Sequence, residues 1–468
     1  MQRSSLSQKA PLVESGLIGA RLDRLPATRI IWTYVLLLSL GGFFEYYDLF
    51  FTGYIAPGLV RSHILSATTP GLFGAAGIAS FAASMFLGLF IGTALFSFVA
   101  DLLGRRTIFT WSLLWYTAAT VVMAFQKDVF GLNLWRFIAG IGVGVELVTI
   151  DSYLSELVPR QSRGRAFAFN STIQFAAVPV VALLAWLLVP NSPLGLDGWR
   201  WVVLIGAASA IFVWWIRRRV PESPRWLVQH GRIEEAERLM AALERRVSAE
   251  AGCPLPPPAS AEIQPSRGSF IEIWRPPYLR RTAMLVIFNL FQTVGFYGFA
   301  NWVPTLLIER GIAVTSSLQY TFIIAMAAPF GPLLAVALAD KLERKWQIVL
   351  AAFGIAVSGL IFARMTFAAL LILFGVLLTL STNIMSYSLH AYQAELYPTR
   401  IRARAIGFVY SWSRLSVVFT SFAIGFFLAR FGVSGVFALI AGSMAVVMLA
   451  IGLFGPRTNN LPLEMISK

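Results

Sequence analysis

The 468-residue chain has a single cysteine, three histidines and only 13% charged side chains. One thiol, Cys253, excludes an intrachain disulfide. His63, His230 and His390 are scattered and form no metal-ligand spacing. No nucleophile elbow and no phosphate-binding glycine loop occurs, so a membrane enzyme, a metal and an organic cofactor are all disfavoured. Negative charge is scarce as well, with 23 acidic residues against 38 basic ones. The opening segment MQRSSLSQKAPLVESGLIGARLDRL has no apolar core. No cleavable leader is therefore expected, and the first apolar run must serve as the insertion signal.

What the chain does have is apolar length. Hydrophobic residues make up 57% of it, and its mean hydropathy is +0.70. Twelve runs are each long enough for the ~30 Å of a bilayer core: 30–56, 77–100, 107–126, 132–155, 166–189, 199–216, 282–306, 318–339, 346–363, 367–394, 404–427 and 433–455. Ten-residue alternation of the porin kind is missing. The pattern predicts an all-α membrane protein in contact with lipid. The net charge of +15 does not point to nucleic acid, because of where it lies. With both termini cytoplasmic, only Arg61, Lys127, Arg136, Arg200, Arg310, Arg364, Arg414 and Arg430 fall outside the cytoplasmic segments. That is the positive-inside asymmetry of a plasma-membrane protein, a bacterial inner membrane being the expected location.

The chain also repeats itself. ADLLGRR, with Asp101 and Arg105, is echoed by ADKLERK, with Asp340 and Arg344. SELVPRQSRGRA, with Glu156 and Arg163, is echoed by AELYPTRIRARA, with Glu395 and Arg402. Both offsets are 239 residues, which divides the chain into two halves of six spans. Six is even, so the halves run parallel. The expected organisation is a tail over 1–29, a bundle over 30–216, a linker over 217–281, a second bundle over 282–455 and a tail over 456–468. The linker contains an amphipathic helix, with Glu234 and Arg238 spaced for an i,i+4 pair, and a Pro-rich loop.

Parallel six-helix halves and a DxxGRR loop resemble the major facilitator superfamily, with its binding site between the halves near midplane. Ser97 and Glu343 depart mildly from its signature. The repeated acids and bases at span ends either latch helices in one state of alternating access or serve only as topology charges. PESPRWL, with Glu222 and Arg225, and RFIAGIGVGVELVTIDSYLSELVPRQSRGR resemble the sugar porters and the related organic-ion transporters. So does GGFFEYYD in the first span. In proton-coupled sugar porters the acid of that motif carries the proton and an arginine in the fourth span is its partner. The resemblance assigns these roles to Asp48 and Arg136; a fixed structural ion pair is the alternative. Glu45, one turn below Asp48, and Glu146 in the fourth span are further intramembrane acids. Each is a second titrating group, a substrate partner or a neutral core acid.

The sugar-binding groups of that family are largely missing. Val178 stands at the second amide position of the fifth span, Phe296 and Tyr297 replace apolar-Asn, and Tyr387 and His390 replace Pro and Trp. Arg414 lies ten residues inside the eleventh span, roughly 15 Å from its end. It needs an anion: a substrate carboxylate, or Glu45, Asp48 or Glu146 across the bundle. Organic-anion transporters carry a similar arginine that meets their substrate. Tyr46, Tyr47, Tyr54, Phe296, Tyr297, Trp302, Tyr387 and Trp412 are candidate aromatic walls for a flat ring. Gln174, Gln292, Asn301 and Asn383 are candidate amide contacts.

These readings predict a monomeric secondary transporter for a small aromatic monocarboxylate such as nicotinate. No cofactor is expected, and the proton gradient supplies the coupling ion. The alternatives are a sugar or polyol porter, and a transporter-like receptor, for which no loop here is long enough to hold a signalling domain.

Overall fold

The structure is a computed structural model that describes residues 17–66, 69, 71, 77–208, 219–258, 269–339 and 341–458. Ten helices among the described residues are long and apolar enough to cross a membrane. In the first half they are α1 (Arg29–Tyr54), α2 (Gly77–Leu103), α3 (Arg105–Ala124), α4 (Val129–Leu157) and α5 (Arg163–Leu188). α6 begins as Gly198–Ala207. The second half holds α7 (Tyr278–Ala300), α8 (Val314–Ala325, then Phe330–Ala339), α9 (Arg344–Phe362) and α10 (Ala368–Glu395). A last helical stretch, Thr399–Phe454, breaks at Gly432 into α11 (399–431) and α12 (433–454). With that break, and with Gly198–Ala207 as the described part of α6, the described helices are consistent with twelve spans.

The local sequence explains the elements. α1 has 26 residues, about 39 Å of helix, more than a bilayer core needs. Asp128 caps α4 by accepting the Gly131 N–H at 2.8 Å. α5 carries Pro179 in mid-helix, which neighbouring spans allow in a membrane. Gly432 adopts φ 64°, ψ −166°, a conformation that suits only glycine, so α11 meets α12 without a loop. Gly140 and Gly144 of α4 lie against the backbone carbonyls of Met85 and Leu89 in α2, where the bare backbones pack closely.

Two large apolar cores are each drawn mainly from one half, the first also taking in Phe296, Leu318 and Val417 of the second half. A third cluster lies outside the bundles. There Ala236, Met240, Leu243 and Val247 of the linker helix Ile233–Ala251 cover Ile18, Leu22 and Leu25. Arg21 bonds Glu237 at 2.6 Å and Glu244 at 2.8 Å, and Arg24 bonds Glu244 at 2.7 Å. Burial pushes the Glu244 carboxyl up, but its bonds to Arg21 and Arg24 outweigh that and hold it below its ordinary value. Arg238 donates to the backbone carbonyl of Glu234 at 3.2 Å, in place of the expected carboxylate pairing. Glu250 accepts the Arg29 and Ile30 N–H groups at the start of α1. The linker helix and the start of α1 thus share one side, the linker face.

The halves meet where α2 packs on α11, α5 on α8 and α1 near the end of α7. On the face opposite the linker the contact is tight. A Cβ at Gly53 of α1 would stand 2.0 Å from the backbone carbonyl oxygen of Asn301. Only a bare glycine permits that approach, so this face is shut in the present state.

Candidate functional site

Asp48 and Arg136 meet inside the first half. Asp48 Oδ2 accepts from Arg136 Nη1 at 2.8 Å, and Oδ1 accepts from Thr120 of α3 at 2.9 Å. Arg136 also donates to the Asp48 carbonyl and to Thr52 Oγ1, both at 2.5 Å. Its guanidinium lies over the Phe51 ring, 4.2 Å from the centroid. Arg136 is fully buried and Asp48 nearly so. A pair this dry and well bonded is costly to break by removing one partner.

Glu45 and Glu146 are also fully buried, yet none of their carboxyl oxygens has a hydrogen-bond partner among the described residues. Glu146 stands beside Gly41 of α1. A carboxylate in such surroundings needs a proton or a cation. Glu45 is within Coulombic range of Arg414, Asp151 and Asp48.

Arg414 sits where the halves face each other, 3% exposed. Nη1 donates to the Tyr297 hydroxyl at 3.2 Å and Nη2 to the Tyr410 hydroxyl at 3.1 Å. The guanidinium also lies 4.8 Å from the centroid of the Tyr410 ring. No carboxylate pairs with it among the described residues, so none of the bundle acids offered as partners holds it. Around it is a cavity of about 30 Å³, walled by Tyr46 and Leu49 of α1, Gln292, Phe296 and Tyr297 of α7, Ser386 and His390 of α10, and Ser413 of α11. That is room for about one water. An aromatic series links the halves across this point. Tyr46 meets Phe175 at 5.2 Å between centroids, Phe296 meets Tyr297 at 4.8 Å, and Tyr297 meets Phe86 of α2 at 4.8 Å. Phe296 also borders a second small cavity lined by Phe50, Tyr54, Phe175 and Asn383.

Other expected contacts lie elsewhere. Tyr47 turns to α6, donating to the Val202 carbonyl at 2.7 Å and packing on Gly206, so it is away from the cavity. Gln174 fills the space beside Gly42 of α1. Tyr387 and Trp412 do not border the Arg414 cavity, since α10 and α11 present Ser386, His390, Tyr410 and Ser413 instead. Trp412 packs edge-on to Phe408. Asn383 donates to the Ala328 carbonyl at 3.1 Å. Asn301 and Trp302 are buried at the end of α7, and neither side-chain polar atom of Asn301 has a partner among the described residues.

At the linker face the repeat reappears as geometry. Arg105 pairs with Glu156 at 3.1 Å, and Arg344 pairs with Glu395 at 2.9 Å. Glu222 accepts the Arg105 and Arg106 N–H groups at 3.1 and 3.2 Å, capping α3. Burial pushes the Glu222 carboxyl above its ordinary value in spite of those bonds. Arg163 and Arg225 both reach Asp23, at 3.6 and 3.2 Å, and Asp23 also accepts the Arg160 N–H. Arg402 donates to the Tyr397 carbonyl at 3.1 Å. The side chain of Asp101, and Asp340, lie outside the described residues. Sequence reasoning missed Tyr410 and Asp23. Tyr410 is four residues before Arg414 on the same helix, a spacing that carries a signal. Asp23 stands in a segment read as a tail.

Twelve spans in two six-helix halves, facing each other across a central arginine, define a major facilitator transporter. The chain belongs to the sugar (and other) transporter family, whose model matches residues 34–468. It is 32% identical to the putative metabolite transport protein YyaJ of Bacillus subtilis, over 94% of this chain and 95% of that one. It is 28% identical to the niacin transporter NiaP of Acinetobacter baylyi, over 96% of this chain and 99% of the other. Among solved structures, a partially occluded inward-open conformation of the xylose transporter XylE from E. coli superposes with a TM-score of 0.74. That match is at 21% identity, over 92% of this chain and 99% of XylE.

Proposed function

We propose that this transporter takes up a small aromatic monocarboxylate, with nicotinate the first substrate to test, in symport with protons. The observation that carries the reading is Arg414, a buried guanidinium at the junction of the halves held by two tyrosine hydroxyls and, among the described residues, by no acid. A carboxylate would fit its fork, and the ring would lie against Phe296 and Tyr46. Among the relatives, a niacin transporter at 28% identity and a putative niacin/nicotinamide transporter at 26% support a pyridine cargo of this kind.

The proton would travel on Asp48. Bonded to Arg136 it stays ionised; released from it, Asp48 must take a proton to remain in the bundle. Linking that exchange to the opening of one face couples the proton to the cycle. Glu45 and Glu146, buried and without a hydrogen-bond partner among the described residues, are the reserve carriers. The linker face is the cytoplasmic one, and the pairs Arg105–Glu156 and Arg344–Glu395 brace it. The test is uptake of radiolabelled nicotinate into proteoliposomes with and without an imposed pH gradient. Accumulation above equilibrium only with the gradient is expected. No uptake of any aromatic monocarboxylate overturns the reading.

A further inference from the structure

We propose that Glu45, Glu146 and Asp151 form a relay that carries the proton between Asp48 and the linker face. The inference rests on the reading of Asp48 as the proton carrier and adds the route that the carrier needs. In this state the face opposite the linker is shut where Gly53 meets Asn301. A proton leaving Asp48 therefore leaves toward the linker, through the interior of the first half.

α1 and α4 run antiparallel, and the bond between Asp48 and Arg136 sets their register. Toward the linker from that pair, α1 presents Glu45 and then Gly41, about 5 and 10 Å along its axis. α4 presents Glu146 and then Asp151, about 15 and 22 Å along. The two series meet at Gly41, where a Cβ would stand 3.3 Å from Glu146 Oε1. Gly41 and Glu45 are four residues apart, so they are neighbours on one face of α1, ~5–6 Å from each other. The carboxyl of Glu146 thus lies one turn below Glu45, in room left by a glycine. Glu45 is within Coulombic range of Asp48, Glu146 and Asp151.

Exposure changes along this row. Glu45 and Glu146 are fully buried, with no hydrogen-bond partner among the described residues. Asp151, five residues beyond Glu146, is exposed. A protonated acid with no fixed partner can accept a proton on one oxygen while it gives one up from the other. An exposed carboxyl at the end of the row exchanges with water. Asp48 would pass its proton to Glu45 as the bond to Arg136 re-forms. Glu45 passes its own to Glu146, Glu146 to Asp151 and Asp151 to water, so one proton leaves and each relay acid returns to its starting state. Arg414 and Tyr410 of α11 are within Coulombic range of Glu45 and Asp151, and Asp48 and Glu45 of Glu146. The cargo arginine therefore borders the relay without being a member of it.

The experiment is uptake of radiolabelled nicotinate by the full-length protein in proteoliposomes under an imposed pH gradient, in H2O and in D2O, with pyranine inside to report protons. Gln and Asn imitate the protonated acids, so the variants create no buried charge. Glu146→Gln and Asp151→Asn should each slow uptake about tenfold or more, as part of the ~10²-fold or greater that a positioned acid gives a proton transfer. The final accumulation should match wild type, because a relay sets the rate and the carrier sets the coupling. Slowing by D2O should be larger in both variants than in wild type, and Asp151→Glu should restore the rate. A wild-type rate and isotope effect in either variant would overturn the relay and leave Asp48 as the carrier. A final level lowered as in Asp48→Asn would make the altered acid the carrier itself, which also overturns the relay. Slowing with no change in the isotope effect would assign these side chains to packing and overturn it as well. Nicotinate uptake by wild type with no proton entry would overturn the carrier and the relay together.

Discussion

Asp48 of α1 and Arg136 of α4 lie 2.8 Å apart in the interior of the first half, and Thr120 occupies the other carboxylate oxygen at 2.9 Å. The pair ties α1 to both α3 and α4, so breaking it must move helices as well as charge.

Replacement of Asp48 by Asn imitates permanent protonation. Exchange of labelled for unlabelled substrate should persist, while accumulation against a gradient should fail. Glu45→Gln should show the smaller defect in the same assay. Full gradient-driven accumulation by Asp48→Asn would place the proton elsewhere, with Glu45 and Glu146 next to be examined.

Arg414→Ala should weaken carboxylate binding by at least about tenfold, and Arg414→Lys should recover little, since an ammonium lacks the planar fork. Tyr410→Phe should cost less, because it removes one orienting hydroxyl at 3.1 Å and keeps the ring under the guanidinium. Calorimetric titration with nicotinate and with its neutral amide distinguishes charge recognition from ring recognition. Equal affinity for acid and amide in wild type would remove Arg414 from the site.

Gly53→Val cannot reach the present state without displacing the Asn301 backbone. The variant should favour the state open opposite the linker. In a Cys253→Ser background, a cysteine replacing Phe50 should react faster with an impermeant maleimide when Gly53 is Val. An unchanged rate would mean that this contact does not set the equilibrium.

The docking of residues 17–28 on the linker should be acid-sensitive. In the folded chain the Glu244 carboxyl is held below its ordinary value by Arg21 and Arg24. Its contribution is present above the unfolded value near 4.5 and is lost as pH falls through the lower folded value. Hydrogen exchange of the segment should therefore speed up below about pH 4.5. Glu244→Gln should give the fast exchange already at neutral pH.

The repeat of 239 residues marks Arg105 and Glu156 as the counterparts of Arg344 and Glu395, because similar motifs at one offset occupy equivalent places, whereas which acid each arginine meets is read only from the structure. Span lengths were legible from apolar runs for the same reason that bilayers demand them. The rotation of each helix about its axis was not. A span that is apolar all round offers no moment by which to choose a face. Tyr46 and Tyr47 are adjacent and both aromatic, yet one borders the cavity and the other bonds to Val202 of α6. On the same ground the sequence does not distinguish Tyr387 and Trp412 from their neighbours Ser386 and Tyr410, which border the Arg414 cavity in this state.

The corner at Gly432 has a mechanical consequence. With no loop between α11 and α12, any change in their relative angle must be taken up at that one glycine, so α11 can swing with Arg414 about a single point. A spin label at the exposed Arg430 would sit at the corner end of the helix that carries Arg414. It would report each stroke of the arginine from outside the cavity, without a probe in the space the cargo needs.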